Sequence, residues 1–185
     1  GDPESAILYY QKALDLKPDI VQAHYNLGIS YKTKGDIISA INSYKNAIKL
    51  DPESIAAHFN LGQAIFLMGN DYRKAWSKYE YRFKKPQEPV IPHAQPSIPK
   101  WQGETLTSNE KLLVVTEQGL GDTIQFMRYI PHLLKEGIKV SFCAQTKLHE
   151  LIKASNIVSK PLTPEKANEV KEGKWISLLS LPHFL

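Results

Sequence analysis

A repeat with a period of 34 residues in the first half of the chain constrains its fold more than any other feature. At this offset identical residues coincide, among them Ala23 and Ala57, His24 and His58, Asn26 and Asn60, Leu27 and Leu61, Gly28 and Gly62, Gly35 and Gly69, and, toward the start, Tyr44 and Tyr10, and Pro52 and Pro18. Repeats of this length are supersecondary units that bury their apolar faces against their neighbours. The sequence therefore predicts a stack of paired antiparallel helices.

The residues inside each repeat indicate how the helices pack. Gly28 and Gly62 fall within the first helix of their repeats, where glycine costs about 1 kcal/mol relative to alanine. We interpret them as points of close approach, with Tyr44 filling the space between layers. Gly35-Asp36 is typical of a turn followed by a helix N-cap. After Gly69 the repeat slips by one residue, which gives Asp71 the capping position.

This pattern resembles tetratricopeptide repeats, and the resemblance covers residues 1–83. It implies a solenoid whose concave face binds a protein or peptide. Asn26 and Asn60 lie one period apart in the same "NLG" setting, which is similar to the peptide-binding arm of O-linked N-acetylglucosamine transferase. An amide both donates and accepts hydrogen bonds, so a row of Asn side chains could hold an extended peptide backbone. The alternative is that both are solvated polar residues of the repeat pattern.

The chain opens in the middle of a repeat, with Gly1-Asp2 at the position of Gly35-Asp36. A first helix at about 3–17 then lacks its partner helix, so we interpret the chain as a fragment of a longer protein. We expect Ile7, Tyr10 and Leu14 to be partly exposed or covered by a neighbour. Together with unpaired sheet edges further along the chain, this face predicts self-association.

Composition and residue spacing argue against several classes of site. His24 and His58 have no accompanying Cys or acidic cluster, so we interpret them as packing residues and expect no metal site. Cys143 is the single cysteine, which excludes an internal disulfide. The net charge of +4 is spread along the chain, so nucleic acid is not an expected partner. No apolar run approaches the roughly 20 residues of a membrane span, and a cytoplasmic location is expected.

A proline-rich segment, residues 84–100, separates the repeats from the rest of the chain. Its prolines are Pro86, Pro89, Pro92, Pro96 and Pro99. This density excludes a helix or a central strand, so we expect an extended spacer, with Val90 and Ile91 lying along a surface. The domain prediction is repeats over 1–83, a linker over 84–100 and a second region over 101–185.

The second region has the pattern of alternating strands and helices. Short apolar runs predict parallel strands at 112–116, 139–144 and 175–179. An amphipathic stretch from about 123 predicts a helix with a break near Pro131 and an end at Gly137, and a second helix is expected at 147–154. The overall fold class is therefore a tetratricopeptide solenoid followed by a partial Rossmann-like parallel sheet.

The segment "QGLGDT" lies between the first strand and its helix. A dinucleotide fingerprint would need a third glycine where Ile124 stands and an acid after the second strand, where Cys143-Ala144-Gln145 stands. One interpretation is purely structural, with Asp122 and Gln125 as a capping box and with glycines that permit a tight turn. The other is functional, because ligands bind at the carboxyl ends of parallel strands and a carboxylate there can act as a general base.

The stretch "GDTIQFMRYIP" resembles the amino-terminal motif of bacterial heptosyltransferases. The resemblance implies that Asp122 is the catalytic base, with Gln118, Gly119, Gly121 and Thr123 in the acceptor pocket.

The segments "AWSKYEYRF", "PKWQGETL" and "SLP" occur around this motif in the order of bacterial tetratricopeptide proteins with a glycosyltransferase-like domain of GT-B type. In that family a second half binds the nucleotide-sugar donor, so we expect no cofactor and no activity in this fragment. The alternative is a non-catalytic interaction scaffold.

Overall fold

The structure is a computed structural model that describes residues 2–86, 90–107, 110–117 and 119–185. Two compact units divide the chain, Gly1–Pro89 and Val90–Leu185.

The first unit consists of successive helices that pack against one another. The helices are α1 (Pro3–Leu16), α2 (Val21–Lys34), α3 (Ile37–Leu50), α4 (Ile55–Met68) and α5 (Tyr72–Tyr79), followed by a 3₁₀ turn at Glu80–Lys84. The first four are each 14 residues long. The start of α3 lies one period after the start of α1, and the start of α4 one period after that of α2. The predicted solenoid of helix pairs is confirmed.

The turns between the helices have the expected chemistry. Gly35 ends α2 at φ 90°, a left-handed conformation that favours glycine. Asp36 then caps α3, and its Oδ1 accepts a hydrogen bond from the Ser39 N–H at 3.0 Å. Asp71 caps α5 in the same way, at 3.2 Å from the Lys74 nitrogen, so the one-residue slip after Gly69 is also confirmed.

The mid-helix glycines permit close contact between helices. A Cβ atom on Gly28 would lie 2.5 Å from Cε1 of Tyr44, whose side chain is fully buried. A Cβ atom on Gly62 would lie 3.0 Å from the carbonyl oxygen of Ala75 in α5. Each distance is shorter than an ordinary van der Waals contact, so the helices reach these separations only because both residues lack a side chain.

The first helix is less covered than its counterpart in the next repeat. Tyr44 in α3 is completely buried, whereas the equivalent Tyr10 in α1 is half-buried, as is Leu14. The expectation for Ile7 differs from the structure, because α1 packs on α2 and leaves Ile7 only 8% exposed. The exposed apolar residues of α1 are Leu8, Tyr9 and Leu16.

The histidines of the repeats are structural, as expected. The Nε2 atoms of His24 and His58 lie 2.9 Å from the carbonyl oxygens of Pro18 and Pro52, one period apart. The His58 ring also stacks on Tyr81, with 4.2 Å between centroids. Its Nδ1 is buried without a hydrogen-bond partner in the described part of the chain, and burial lowers the pKa of this imidazole.

The second unit is built on a parallel sheet in the order β2-β1-β3. Its strands are β1 (Lys111–Val115), β2 (Lys139–Cys143) and β3 (Lys174–Ser177). The helices are α6 (Leu120–Phe126), α7 (Ile130–Lys135), α8 (His149–Ala154), α9 (Pro164–Asn168) and α10 (Leu181–Phe184). The parallel arrangement agrees with the sequence prediction, but β3 is shorter than expected, because Leu178–Ser180 forms a 3₁₀ turn.

The helix after β1 is interrupted where the sequence predicted a break. A 3₁₀ turn at Met127–Tyr129 separates α6 from α7, and Pro131 lies in the first turn of α7. Gly137, at φ 79°, follows the end of α7. The start of α6 is at Leu120, earlier than the expected residue 123.

The proline-rich segment packs onto the second unit from residue 93 onward. Ala94 and Ile98 are buried in a cluster with Val115 of β1. The Trp101 N–H donates to the carbonyl oxygen of Trp175, and the Trp175 N–H donates to the carbonyl oxygen of Pro99. These bonds cover the outer edge of β3, so that edge is not unpaired as expected.

The other edge of the sheet is also partly covered. Leu162 exchanges backbone hydrogen bonds with Phe142 and Ala144 along β2. Ile91, expected to lie along a surface, is 58% exposed.

Gly28→Ala should destabilise the repeat unit by about 1–3 kcal/mol, because the added methyl overlaps the buried Tyr44 ring and the clash outweighs the higher helix propensity of alanine. Urea denaturation followed by helical circular dichroism measures the change. Thr33→Ala, at an exposed position of the same helix, is the control and should stay within about 0.5 kcal/mol. Equal stability of the two variants would contradict the close approach.

The stability of the repeat unit should fall as the pH drops below about 6.5, the ordinary pKa of histidine. His58 is neutral in both states above that pH; below it the unfolded chain binds the proton more readily than the folded protein, so the free energy of unfolding declines. Denaturation curves across this range should show the decline in the wild type and in His24→Gln, and a smaller decline in His58→Gln. The same slope in all three would exclude His58 as its source.

Candidate functional site

The candidate site in the second unit lies at the carboxyl end of β1, the central strand. The chain leaves β1 toward β2 on one side, and β3 lies on the other side. This is the point of an open parallel sheet at which the connections diverge and ligands bind. The turn at Leu178–Ser180 follows β3 at the same end and contacts α6.

Glu117 joins the two segments that border this end of the sheet. The residue is 6% exposed, and its Oε1 accepts a hydrogen bond from the Leu179 N–H at 3.2 Å. Sequence reasoning missed this acid. An available signal was its position directly after a fully buried strand, where a carboxylate needs a hydrogen-bonding partner.

Thr123 links α6 to the segment after β2. Its side chain is 1% exposed, and its hydroxyl lies 2.9 Å from Oε1 of Gln145 and 3.3 Å from the carbonyl oxygen of Gly119. The hydroxyl has one proton to donate, and both neighbours are acceptors. Thr123 therefore connects α6 to the segment after β2, and Gln145 is a second residue that the sequence did not indicate.

Asp122 has a different environment from Glu117. It is the third residue of α6, half-buried, and its carboxylate makes no hydrogen bond or ion pair with any described residue. The capping-box interpretation with Gln125 is wrong, because the helix begins earlier and Gly119 occupies the N-cap position without a side-chain bond.

The two glycines of the segment are not required by the backbone conformation. Gly119 has φ −60°, and neither Gly119 nor Gly121 is among the residues with positive φ. A Cβ atom on Gly121 would meet nothing within 4 Å, and one on Gly119 would lie 3.9 Å from Oδ2 of Asp122. The tight-turn explanation is therefore wrong, and the glycines leave open space beside Asp122. Gln118 lies outside the described residues.

His93 brings an imidazole to the same end of β1. Its backbone N–H donates to the Thr116 carbonyl oxygen at 2.7 Å, and its Nδ1 lies 2.8 Å from Oγ1 of Thr116. Thr116 is completely buried, whereas His93 is exposed. The sequence placed this histidine in a spacer, and only the packing of that spacer reveals its position.

Metal ligation and thiol chemistry have no support in the described residues. No group of three or more His, Cys, Asp or Glu side chains there could hold a metal ion. Burial raises the pKa of the Cys143 thiol to about 12, so this cysteine is a neutral packing residue.

The predicted peptide-binding residues lie on the repeat unit. Asn26 and Asn60 are the sixth residues of α2 and α4. The amide group of Asn60 is engaged within the fold. Its Nδ2 lies 3.2 Å from the Tyr25 hydroxyl and 3.0 Å from the Ala56 carbonyl oxygen, and its Oδ1 accepts from Lys32 at 3.0 Å.

Asn26 has fewer partners than Asn60. Its Oδ1 accepts from Nε2 of Gln22 at 2.9 Å, and its Nδ2 makes no hydrogen bond to a described residue. Asn26 is therefore free to donate to a peptide, whereas both N–H groups of Asn60 are already used. The two amides are equivalent in sequence but not in the structure, because α2 supplies Tyr25 and Lys32 to Asn60.

No helix in the described ranges has both the length and the continuous apolar character that crossing a bilayer requires.

Glu117→Ala should destabilise the second unit by about 1–3 kcal/mol, because it leaves the buried Leu179 N–H without an acceptor. Glu117→Gln keeps an oxygen at the same position and should cost less. Amide hydrogen exchange at Leu179 gives a local readout, with protection lost in the alanine variant and retained with glutamine. Equal protection of Leu179 in all three proteins would show that Glu117 does not hold the turn.

Comparison with known proteins identifies the repeats. The family model described as a tetratricopeptide (TPR) repeat matches residues 1–35 and 30–69. Protein FlbA of Caulobacter vibrioides is 28% identical over 137 residues, which are 73% of this chain and 23% of FlbA. The chain thus spans less than a quarter of this curated relative.

A solved structure of a mutant O-GlcNAc transferase from Thermobaculum terrenum also aligns with this chain. The alignment covers 83% of this chain and 37% of the transferase chain, at 16% identity and a TM-score of 0.33. The match to the family model assigns residues 1–69 to tetratricopeptide repeats.

Proposed function

We propose that this chain combines a peptide-binding repeat module with the acceptor side of a glycosyltransferase of GT-B type. The repeats make the first unit a protein-interaction module. For the second unit, the proposal depends on one observation: at the carboxyl end of the central strand, the Asp122 carboxylate has no hydrogen-bond or ion-pair partner among the described residues.

The contrast between the two acids of this segment supports separate roles. Glu117 is buried and accepts a backbone hydrogen bond, so its carboxylate holds the turn after β3. Asp122 is half-buried and makes no such bond to the part of the chain that the structure describes, so its carboxylate can accept a proton from a bound hydroxyl. The space beside Gly121 permits a ligand to approach the backbone next to this carboxylate.

In the proposed reaction Asp122 acts as the general base. As the oxygen of an acceptor hydroxyl forms a bond to the anomeric carbon of the donor sugar, its proton passes to the Asp122 carboxylate. The bond from the anomeric carbon to the nucleoside diphosphate breaks, and that group leaves with the bonding electrons. A second half of the enzyme would bind the nucleotide-sugar, and Thr123 and Glu117 would keep the base in position.

A non-catalytic scaffold is the alternative, and one observation favours it. Both Glu117 and Thr123 have partners within the fold, as expected of a segment whose polar residues serve packing alone. In that case the second unit would be a structural domain attached to the repeats, and Asp122 a surface residue.

Acceptor binding distinguishes these functions without requiring the donor half. Methyl glycosides of glucose, galactose, mannose and N-acetylglucosamine are titrated into the ¹⁵N-labelled chain. We expect at least one of these sugars to shift the amide signals of residues 116–123 and 177–180. Asp122→Asn should weaken that binding about tenfold, because hydrogen bonds to a charged acceptor are stronger than those to a neutral one. Glu136→Gln, at an exposed position of the same unit, is the matched control.

Gly121→Ala provides an independent test. It should leave the stability of the unit unchanged or raise it by up to about 1 kcal/mol, because the site is open and alanine favours a helix. It should nevertheless weaken sugar binding by filling the space beside Asp122. If no glycoside shifts these signals, or if both variants bind like the wild type, the scaffold function is the better account.

A further inference from the structure

We propose that the repeat unit has a second protein-docking site, a cavity between α3 and α5, which receives a large apolar side chain from an acidic segment of a partner protein. The cavity has a volume of about 460 Å³, within the range of roughly 300–1,000 Å³ that is usual for binding pockets. Its lining residues come from α3, α4, α5 and the turn before α5. Neither Asn26 nor Asn60 lines it, so this inference goes beyond the peptide-binding role proposed for those residues.

Four apolar side chains contribute to the surface of the cavity. Ile41 and Ile65 are buried, whereas Ile38 is 63% and Met68 42% exposed. The two exposed residues border the same cavity and continue the apolar surface of the two buried ones. An apolar side chain of a partner would therefore remove all four from water, which favours binding.

The preceding layer of helices shows that the repeat does not require this apolar surface. There, Glu4 of α1 and Lys34 of α2 form an ion pair, with 3.1 Å between Oε1 and Nζ. The positions 34 residues later hold Ile38 and Met68. Two charged side chains that contact each other are thus replaced by two apolar side chains exposed to water. This replacement indicates an interaction site, because it is not needed to stack the helices.

Lys45 and Lys74 bring positive charge to the cavity, one from α3 and the other from α5. Both side chains are exposed, and neither belongs to an ion pair among the described residues. The residue equivalent to Lys45 in the preceding layer is Gln11, whose Nε2 donates to the Tyr31 hydroxyl at 2.8 Å. Asp71 is the one carboxylate among the described lining residues, and it accepts the hydrogen bond that caps α5.

The wider charge distribution agrees with an acidic partner. Residues 37–85 contain eight Lys or Arg and four Asp or Glu residues, whereas residues 2–36 contain four Lys or Arg and five Asp or Glu residues. Helices α3, α4 and α5 contain no acidic residue. Carboxylates of the partner would therefore approach Lys45 and Lys74 without like charges on these helices to repel them.

Three libraries of acetylated and amidated twelve-residue peptides test both parts of the site. The first has a central Leu, Phe or Trp with two Glu residues on each side, and its other positions are randomised among small polar residues. In the second library Gln replaces each Glu, and in the third Gln replaces the central apolar residue. The full 185-residue chain is the binding protein, and its retention on arrays of each library is the measurement.

We expect retention on the first library to be about tenfold higher than on the third, because only an apolar centre is removed from water in the cavity. The gain over the second library should be about threefold, since exposed ion pairs contribute less than apolar burial. Lys45→Gln should remove most of the preference for Glu. Lys49→Gln, at an exposed position of the same helix outside the cavity, is its matched control and should keep that preference.

A double variant, Ile38→Glu with Met68→Lys, reproduces the ion pair of the preceding layer. It should reduce retention on the first library about tenfold, to the level of the third, because the apolar walls are lost. The variant should fold, because both positions are exposed and the same pair occurs at Glu4 and Lys34, and circular dichroism verifies this. Leu67→Gln, 64% exposed on α4 and outside the cavity, is the matched control and should bind like the wild type.

Several results would overturn this docking site. They are equal retention on the three libraries, no retention on any of them, and retention by the double variant that equals that of the wild type. Binding that is lost with Asn26→Ala and unchanged in the double variant would assign the peptides to α2 instead.

Other occupants of this surface give different results. For a second copy of the chain, sedimentation velocity would detect association of the wild type that the double variant lacks. For a membrane, the wild type but not the double variant would sediment with vesicles of phosphatidylcholine and phosphatidylserine. Either result, together with equal retention on the three libraries, would contradict an acidic protein partner.

Discussion

The close contact between Gly28 and Tyr44 is the constraint on which the repeat unit depends. The absence of a side chain at residue 28 lets α2 approach α3 until the buried Tyr44 ring fills the space between them. Tyr44 in turn lies 6.1 Å from Tyr25, between ring centroids, and Tyr25 contacts Asn60 of the next repeat. The packing of one hairpin thereby helps to determine which polar atoms of two successive repeats meet.

In the second unit, some polar side chains form hydrogen bonds within the fold, whereas Asp122 does not do so with any described residue. At the carboxyl end of β1, hydrogen bonds within the fold involve Thr116, Glu117 and Thr123. Asp122 makes no such bond within the described ranges, and a Cβ atom on the neighbouring Gly121 would meet nothing within 4 Å. A carboxylate that the fold does not use is available to a ligand, and this reasoning identifies Asp122.

The sequence predicted features that depend on local or periodic relations. The repeat period, the caps at Asp36 and Asp71 and the parallel strands follow from spacing and propensity. Other interpretations failed or changed because they depended on three-dimensional neighbours, among them those of Asp122 and Asn60. Asp122 is not a cap, since the helix starts at Gly119 and Leu120 rather than near residue 123. Asn60 is not free to bind a peptide backbone, because Lys32 and Tyr25, about one repeat away, form hydrogen bonds with its side-chain amide. The spacing of the repeat does not reveal that contact.

The most direct test of this account is the proton environment of Gly28. A nuclear Overhauser spectrum of the folded chain should contain strong cross-peaks between the Gly28 Hα protons and the Tyr44 ring protons, and the ring should displace the Hα shifts from random-coil values. Weak or absent cross-peaks together with ordinary Hα shifts would show that α2 and α3 do not approach closely, and the placement of Tyr25 and Asn60 argued from that packing would then fail.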